Sequence, residues 1–512
     1  FHPDWLLPII VLILSVGFGQ CAEIGLGLLC AYLYVEVEKL PYPTAPLGSE
    51  SIITISEKDP AKVKVFTIAT VVSLIWSAFT FGVPTTLGHA FGIRAGYLTF
   101  VDLTTLIDKY FPGVVYGIIF EPFAYTFAWM LPASTIVSIF IGSYAIWVFG
   151  NWLALKIPSP LFAQFQSEYV TGSSAEFVMW RAQLDVWLSP FIGAALGVAA
   201  VRIIAGRNYL ARSIKSLARL GRASQVETGY PRLYVILAIW LGGLLGSTVL
   251  LSILVPQFPL WTLVLFVVVI PFATAMINAR GMGETGFGGV QGINMPHTKE
   301  LAILSSSYTG AEAWFMPLYT RQLGMGLMAA EYSYIAKVAQ MTETRFFDYV
   351  KTLLVLIPLT IVMGFIVMSL YQAMAPIPSF TFPATVNIWP ELVLERNFIA
   401  TNFLRLFKPE LAVSAFIVLA VLTVASSVIR IPFFSPIALV LGFNTPPYFA
   451  NALAIGYLIG AHLLQKKLKQ DWWNQHKAVL LAGIACGYGI IATLTAVTTL
   501  ISRALWYSPT PY

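Results

Sequence analysis

Carboxylates buried in long apolar runs are the residues of this chain with the clearest chemical potential. Glu23 sits in GFGQCAEIGLG among Gly17, Gly19, Gly25 and Gly27, and Glu121 is followed directly by Pro122. An ionisable side chain at membrane depth costs about 3 kcal/mol or more and marks a pathway or a paired partner. Pro122 has no N–H, so in a helix the carbonyl of Ile118 would lose its donor. A carboxylate beside a free carbonyl could relay a proton or a cation. Glu312 and Glu331 open and extend a later run, with Lys337 beyond. Each acid also has a plainer reading, as a group near a span end that reaches headgroups or pairs with Lys or Arg.

Three short segments interrupt the apolar pattern. KLPYPTAPLGSESI from Lys39 carries Pro41, Pro43 and Pro46, then Gly48, Ser49 and Ser51. Proline removes donors and pushes the preceding residue to extended backbone, so a kinked half-helix or a Pro-rich interhelical loop is expected around Tyr42, Pro43 and Thr44. GMGETGFGGVQG from Gly281 has five glycines between 281 and 289, which free main-chain N–H groups to face a ligand. Gly283, Glu284, Thr285 and Gly286 are the candidates here, with Glu284 either an ionisable group of a pathway or a carboxylate held by local N–H groups. RIPFFSPIALVLGFNTPPYF from Arg430 combines Pro432, Pro436, Pro446 and Pro447 with Ser435, Gly442 and Asn444.

Several chemistries are excluded by context. Residues 281–286 fit G-x-G-x-x-G, but the dinucleotide fingerprint needs a strand before it, and an apolar span precedes it. H-E-x-x-H and G-x-S-x-G are absent, and no nucleophile and base stand at recognisable spacing, so an enzyme is not expected. Cys21, Cys30 and Cys486 give neither a disulfide framework nor a metal pattern. His89, His297, His462 and His476 show no ligand spacing, so neither metal nor cofactor is expected.

The elements that position these residues follow from composition. Of 512 residues, 58% are hydrophobic and 11% charged, and mean hydropathy is +0.78. Soluble domains carry about 25% charged residues. Apolar blocks of about 18 to 28 residues match a hydrocarbon core about 30 Å thick. The expected fold is an all-α polytopic membrane protein, a single transmembrane domain over 1–512. It reads as a first helical half (1–205), a basic cytoplasmic loop (206–232) and a second helical half (233–512). No gap between blocks leaves room for a soluble catalytic domain of about 50 residues or more.

The net charge of +6 does not signal nucleic acid. Arg202, Arg207, Arg212, Lys215, Arg219, Arg222 and Arg232 face a single acid, Glu227, and a second cluster holds Lys466, Lys467, Lys469 and Lys477. Both loops read as cytoplasmic by the positive-inside rule. Confident spans are expected at 5–35, 62–84, 113–131, 133–156, 184–205, 233–254, 258–279, 312–337, 352–374, 411–429, 447–465 and 478–505. Placing the Lys/Arg-bearing loops on one side requires 284–305 and 431–445 to cross as well; with 42–55 the total is about fifteen crossings. Irregular backbone at that depth is tolerated only where protein or a watery cavity surrounds it, and such broken helices mark substrate sites in secondary transporters.

KLPYPT before a short Ser/Gly-bearing helix, the Trp-bearing span KVFTIATVVSLIW and the stretch IPFFSPIALVLGFNTPP resemble the oligopeptide transporter family, which includes the yellow stripe-like metal-chelate transporters. AKVAQMTETRFFDYVK and LYQAMAPIPSFTFP resemble its second half, so the resemblance runs over about residues 39–505 through degenerate Pro-rich motifs. It implies a proton-coupled secondary transporter of small peptides or peptide-like metal chelates, with Tyr42, Pro43 and Thr44 at the entry to a discontinuous helix and Pro432 to Pro436 at a later one. Tyr488 in LAGIACGYGI stands where the family commonly has Glu, which puts coupling at that position in doubt and leaves Glu23, Glu121 and Glu312 as coupling candidates. The family's opening helices would precede residue 1, so an incomplete or trimmed unit, or a reduced relative that needs a partner, is expected. A non-transporting subunit of a membrane complex and a passive channel are the alternatives. A homo-oligomer is open, and the bilayer is the surrounding medium.

Overall fold

The structure is a computed structural model that describes residues 6–91, 99–205, 230–259, 270–288, 317–377, 408–429 and 431–505, with a few isolated positions. Glu312, His297 and most of the basic stretch 206–232 lie outside the described residues. The chain divides into two compact units, each assembled from separated stretches: Phe1–Ala45, Gln183–Ile361 and Arg396–Asn444 form one, and Pro46–Ala182, Val362–Glu395 and Thr445–Tyr512 form the other.

Among the described residues, nine helices are long and apolar enough to cross a membrane. Leu233–Leu254 and Pro409–Ile429 coincide closely with the apolar runs read from the sequence. Helix Phe346–Met374 is the most apolar of the nine, yet 0% of its most apolar window is buried inside the protein. Val355 on this helix is 72% exposed, and Leu354, Leu359 and Val362 are exposed beside it. A continuous apolar surface of this kind needs lipid as its solvent. The protein is a multi-pass all-α integral membrane protein.

In the first unit, helix Leu6–Ala31 packs between Leu233–Leu254 and Pro317–Met341, and Ile270–Thr285 packs along Pro317–Met341. Small residues permit this approach. A β-carbon added at Gly25 would lie 2.6 Å from the backbone nitrogen of Trp240, so only glycine fits there. Leu26, Leu28, Ile236 and Tyr42 are among the buried core of this unit. Leu188–Ala205 and Pro409–Ile429 pair along their lengths, and the short helix Pro436–Phe443 rests against both and against Ile270–Thr285.

In the second unit, Pro60–Ser77 runs along Gln470–Leu505, while Pro447–Leu458 packs on Ala133–Tyr144 and Pro122–Phe127. Wide turns with π-helical bonding extend several helices, among them Tyr32–Val37, Ala145–Gly150 and Ile459–Leu464. Such turns are rare and are kept where a helix must be re-aimed.

The expected span at 113–131 is not a helix across the membrane. Gly117–Ile119 pairs antiparallel with Phe100–Asp102, and a short helix, Pro122–Phe127, follows. Val114, Val115, Ile118 and Ile119 are β-branched and favour extended backbone, Gly113 turns the chain at φ +80°, and Pro122 suits the first turn of a new helix. Ile118 is therefore a strand residue, and the argument from its orphaned helical carbonyl fails. The count of about fifteen crossings is likewise not reached among the described residues.

Candidate functional site

The first break is short. The π-helical turn Tyr32–Val37 ends the first helix, and helix Ala45–Glu57 begins a few residues later. Between them Lys39 and Tyr42 hold φ of +53° and +46°. Left-handed backbone costs about 1–2 kcal/mol for an L-residue, so surrounding contacts must impose it. They do: the Tyr42 N–H donates to the Gly283 carbonyl at 2.9 Å, and the Thr44 hydroxyl donates to the Gly286 carbonyl at 3.3 Å. Tyr42 is fully buried. Its hydroxyl closes no hydrogen bond of normal length, although the Ser333 hydroxyl is near enough to act on it. Pro43 is half-buried beside it.

The glycine segment departs from expectation in where it breaks. Residues 281–285 are the last turn of helix Ile270–Thr285, and the chain leaves the helix at Gly286, at φ +81°. The Gly286 N–H still donates to the Met282 carbonyl at 3.0 Å, and the buried Thr285 hydroxyl donates back to Gly281 at 2.7 Å. This is a left-handed glycine cap. Gly283 inside the helix serves approach rather than flexibility: a β-carbon there would meet Leu40 Cδ1 at 2.6 Å, whereas one at Gly281 would stand in ordinary contact with Ile437 Cγ2 at 3.5 Å.

Ile437 belongs to the third break. Ser435 caps helix Pro436–Phe443, its hydroxyl accepting from the Ala438 N–H at 3.4 Å. Asn444 ends that helix, and Phe433 before it holds φ +56°. Pro432 is exposed in the preceding turn. Parts of the three segments singled out by Pro and Gly thus meet within the first unit: Leu40 fills the space over Gly283, and helix Pro436–Phe443 packs on helix Ile270–Thr285.

Two charged residues there were not singled out by the sequence. Arg280 Nε lies 2.7 Å from Glu284 Oε1, and its Nη1 lies 3.3 Å from Glu38 Oε2. One guanidinium, half-buried, is shared between two half-buried carboxylates. Burial raises the Glu38 carboxyl above the usual carboxylate range, Arg280 draws it down, and Glu284 pushes it up. The local spacing of Arg280 to Glu284, one helical turn, was the only signal for them in the sequence.

The remaining candidates fall elsewhere. Glu23 is buried in Leu6–Ala31, about four turns before Glu38, and accepts from Gln20 Nε2 at 2.9 Å. Glu121 belongs to the second unit, where it precedes helix Pro122–Phe127 without a capping hydrogen bond. Near it, Trp76 Nε1 donates to the Phe120 carbonyl at 2.8 Å.

A second polar node lies in that unit. Asp108, buried, accepts from Gly113 N–H at 3.1 Å, from Gly172 N–H at 2.6 Å and from the Tyr169 hydroxyl. Burial and the Asp108 bond raise the Tyr169 phenol. Both glycines have φ above +80° or equal to it, so the carboxylate ties two left-handed turns together. This is a structural clasp.

No group of three or more His, Cys, Asp or Glu among the described residues could hold a metal ion. The fold and site define a polytopic helical membrane protein in which the first two helix breaks share one arginine. The chain matches no model of a known protein family, and no curated protein matches it significantly.

Proposed function

We propose that the protein is a secondary-active transporter that moves a small peptide or peptide-like metal chelate by alternating access, driven by protons. The observation that carries this reading is the convergence of three broken helices, with Tyr42 bonded to Gly283 and helix Pro436–Phe443 packed on helix Ile270–Thr285. Discontinuous helices that meet inside a bundle leave main-chain donors and acceptors at membrane depth, which is how secondary transporters hold polar substrates. The substrate would lie against Tyr42, Pro43 and Thr44 on one side, Gly283 to Gly286 on another, and Pro432, Ser435 and Asn444 on the third. The Pro-rich motifs that resemble the oligopeptide transporter family supply the substrate class.

The test is uptake of labelled short peptides and of iron and zinc chelates of peptide-like ligands by proteoliposomes holding the purified full chain. Saturable uptake that rises with an acid exterior and falls on adding a protonophore is expected. Purification with stoichiometric partners and no uptake would make the chain a complex subunit instead. Single-channel conductance without ion coupling would make it a channel.

A further inference from the structure

We propose that Glu38 is the site at which the protein takes up and releases its driving proton, and that Arg280, shared with Glu284, reports the protonation state of Glu38 to the broken helices. The inference rests on the transport reading for its role in coupling, though the proton site itself can be tested without transport.

The geometry is a triad with one cation and two anions, so its formal charge is −1 when both carboxylates are ionised. The contacts are unequal. Arg280 Nε meets Glu284 at 2.7 Å on the same helix, one turn away, whereas Nη1 meets Glu38 at 3.3 Å across the break. The nearer, intrahelical pair remains closed at little cost. The longer one yields first. When Glu38 accepts a proton from water, the triad becomes neutral, Arg280 stays charged and bonds to Glu284 alone, and the charge link across the break is released. Loss of that proton to water on the other side restores the link.

The position of Glu38 makes that link consequential. It directly precedes Lys39 and stands four residues before Tyr42, the two left-handed residues of this break, and its own N–H donates to the Leu33 carbonyl at 2.9 Å in the wide terminal turn. Arg280 lies on helix Ile270–Thr285, against which helix Pro436–Phe443 of the third break packs. The guanidinium therefore bridges the first and second breaks beside the contact with the third. The charged and titratable groups acting on Glu38 are Arg280 and Glu284 from helix Ile270–Thr285, with Tyr34 and Tyr42 from its own segment. Lys39 and, from helix Pro317–Met341, Lys337 act on the adjacent Glu36.

The test is a pH titration of the full chain in lipid, followed by the protonated-carboxyl band in infrared difference spectra from about pH 9 to about pH 5. Subtracting the Glu38→Gln titration from that of the wild type is expected to leave one carboxyl step above the ordinary Glu range, the steps of the carboxyls common to both proteins cancelling. Glu284→Gln should move its midpoint down by about 1 pH unit, because a like charge is lost and Arg280 turns wholly to Glu38. Arg280→Gln should move it up by a similar amount, which also serves should Glu38→Gln fail to assemble. No difference between the titrations of wild type and Glu38→Gln, or a Glu38 midpoint indifferent to both Arg280→Gln and Glu284→Gln, overturns the proposal. In proteoliposomes, Glu38→Gln should retain exchange of substrate across the membrane but lose its response to a pH gradient; a retained response overturns the coupling role. Absence of any uptake by the wild type would defeat the transport reading, with the infrared titration still deciding the proton site.

Discussion

The main-chain N–H of Tyr42 donates to the carbonyl of Gly283 across 2.9 Å, joining residues 241 positions apart at the two points where their helices break. The bond is made possible by close approach, since Leu40 occupies the space that a side chain at Gly283 would need.

Gly283→Ala is therefore expected to destabilise the protein. Its β-carbon would stand 2.6 Å from Leu40 Cδ1 and 2.8 Å from Leu40 Cβ, and overpacking of this kind costs about 1–3 kcal/mol. Adding Leu40→Ala should recover part of the loss. Thermal unfolding of the single and double variants in detergent measures this directly, and simple additivity would show that the two residues do not compete for space.

Lys39→Gly should act in the opposite direction. Lys39 is exposed and holds φ +53°, a conformation glycine adopts without steric cost. A gain of about 0.5–1 kcal/mol is expected once the greater chain entropy of glycine is subtracted. A fall in thermal stability would mean that the lysine side chain makes a contact of greater value.

Asp108→Asn tests the clasp in the second unit. The carboxylate accepts from two backbone N–H groups and one phenol, and hydrogen bonds to a charged group contribute about 1.5–3 kcal/mol. The amide keeps one acceptor oxygen but puts an NH2 donor in place of the other and removes the charge, so a loss of that size is expected. Stability equal to wild type would show that the clasp is dispensable.

Ser435→Ala removes the cap of a helix only eight residues long. A loss of about 1 kcal/mol is expected, together with faster amide exchange at Ala438. Ser435→Asp, which can also cap, should retain most of the stability; equal losses in both variants would place the role of Ser435 elsewhere.

Much of the architecture was legible in the sequence because helix length in a bilayer is set by hydrocarbon thickness. The bounds Leu233–Leu254 and Pro409–Ile429 follow from apolar run length alone. The first break was also legible, since Pro41 and Pro43 restrict the backbone locally, whereas the second lies later than its glycines suggest, the helix running on to Thr285 before it turns at Gly286. Two features were not legible. The strand pair Phe100–Asp102 with Gly117–Ile119 hid in an apolar stretch, because short apolar runs fit a strand and a helix segment equally well. The tie between Glu38 and Arg280 joins residues far apart in the chain, and no local pattern shows that two distant span-end charges will meet.

The most direct test of a transport site at this junction is a reversible crosslink across it. In a chain with Cys21, Cys30 and Cys486 replaced by Ser, Leu40→Cys and Gly283→Cys would place two thiols where the segments touch. Replacing the leucine removes the 2.6 Å contact with its Cδ1, and the two β-carbons, 2.8 Å apart on the present backbone, must part slightly to reach the disulfide spacing of about 3.5–4.5 Å. The expected result is that uptake by proteoliposomes stops when the disulfide forms and returns when it is reduced. Undiminished uptake by fully crosslinked protein would contradict the account.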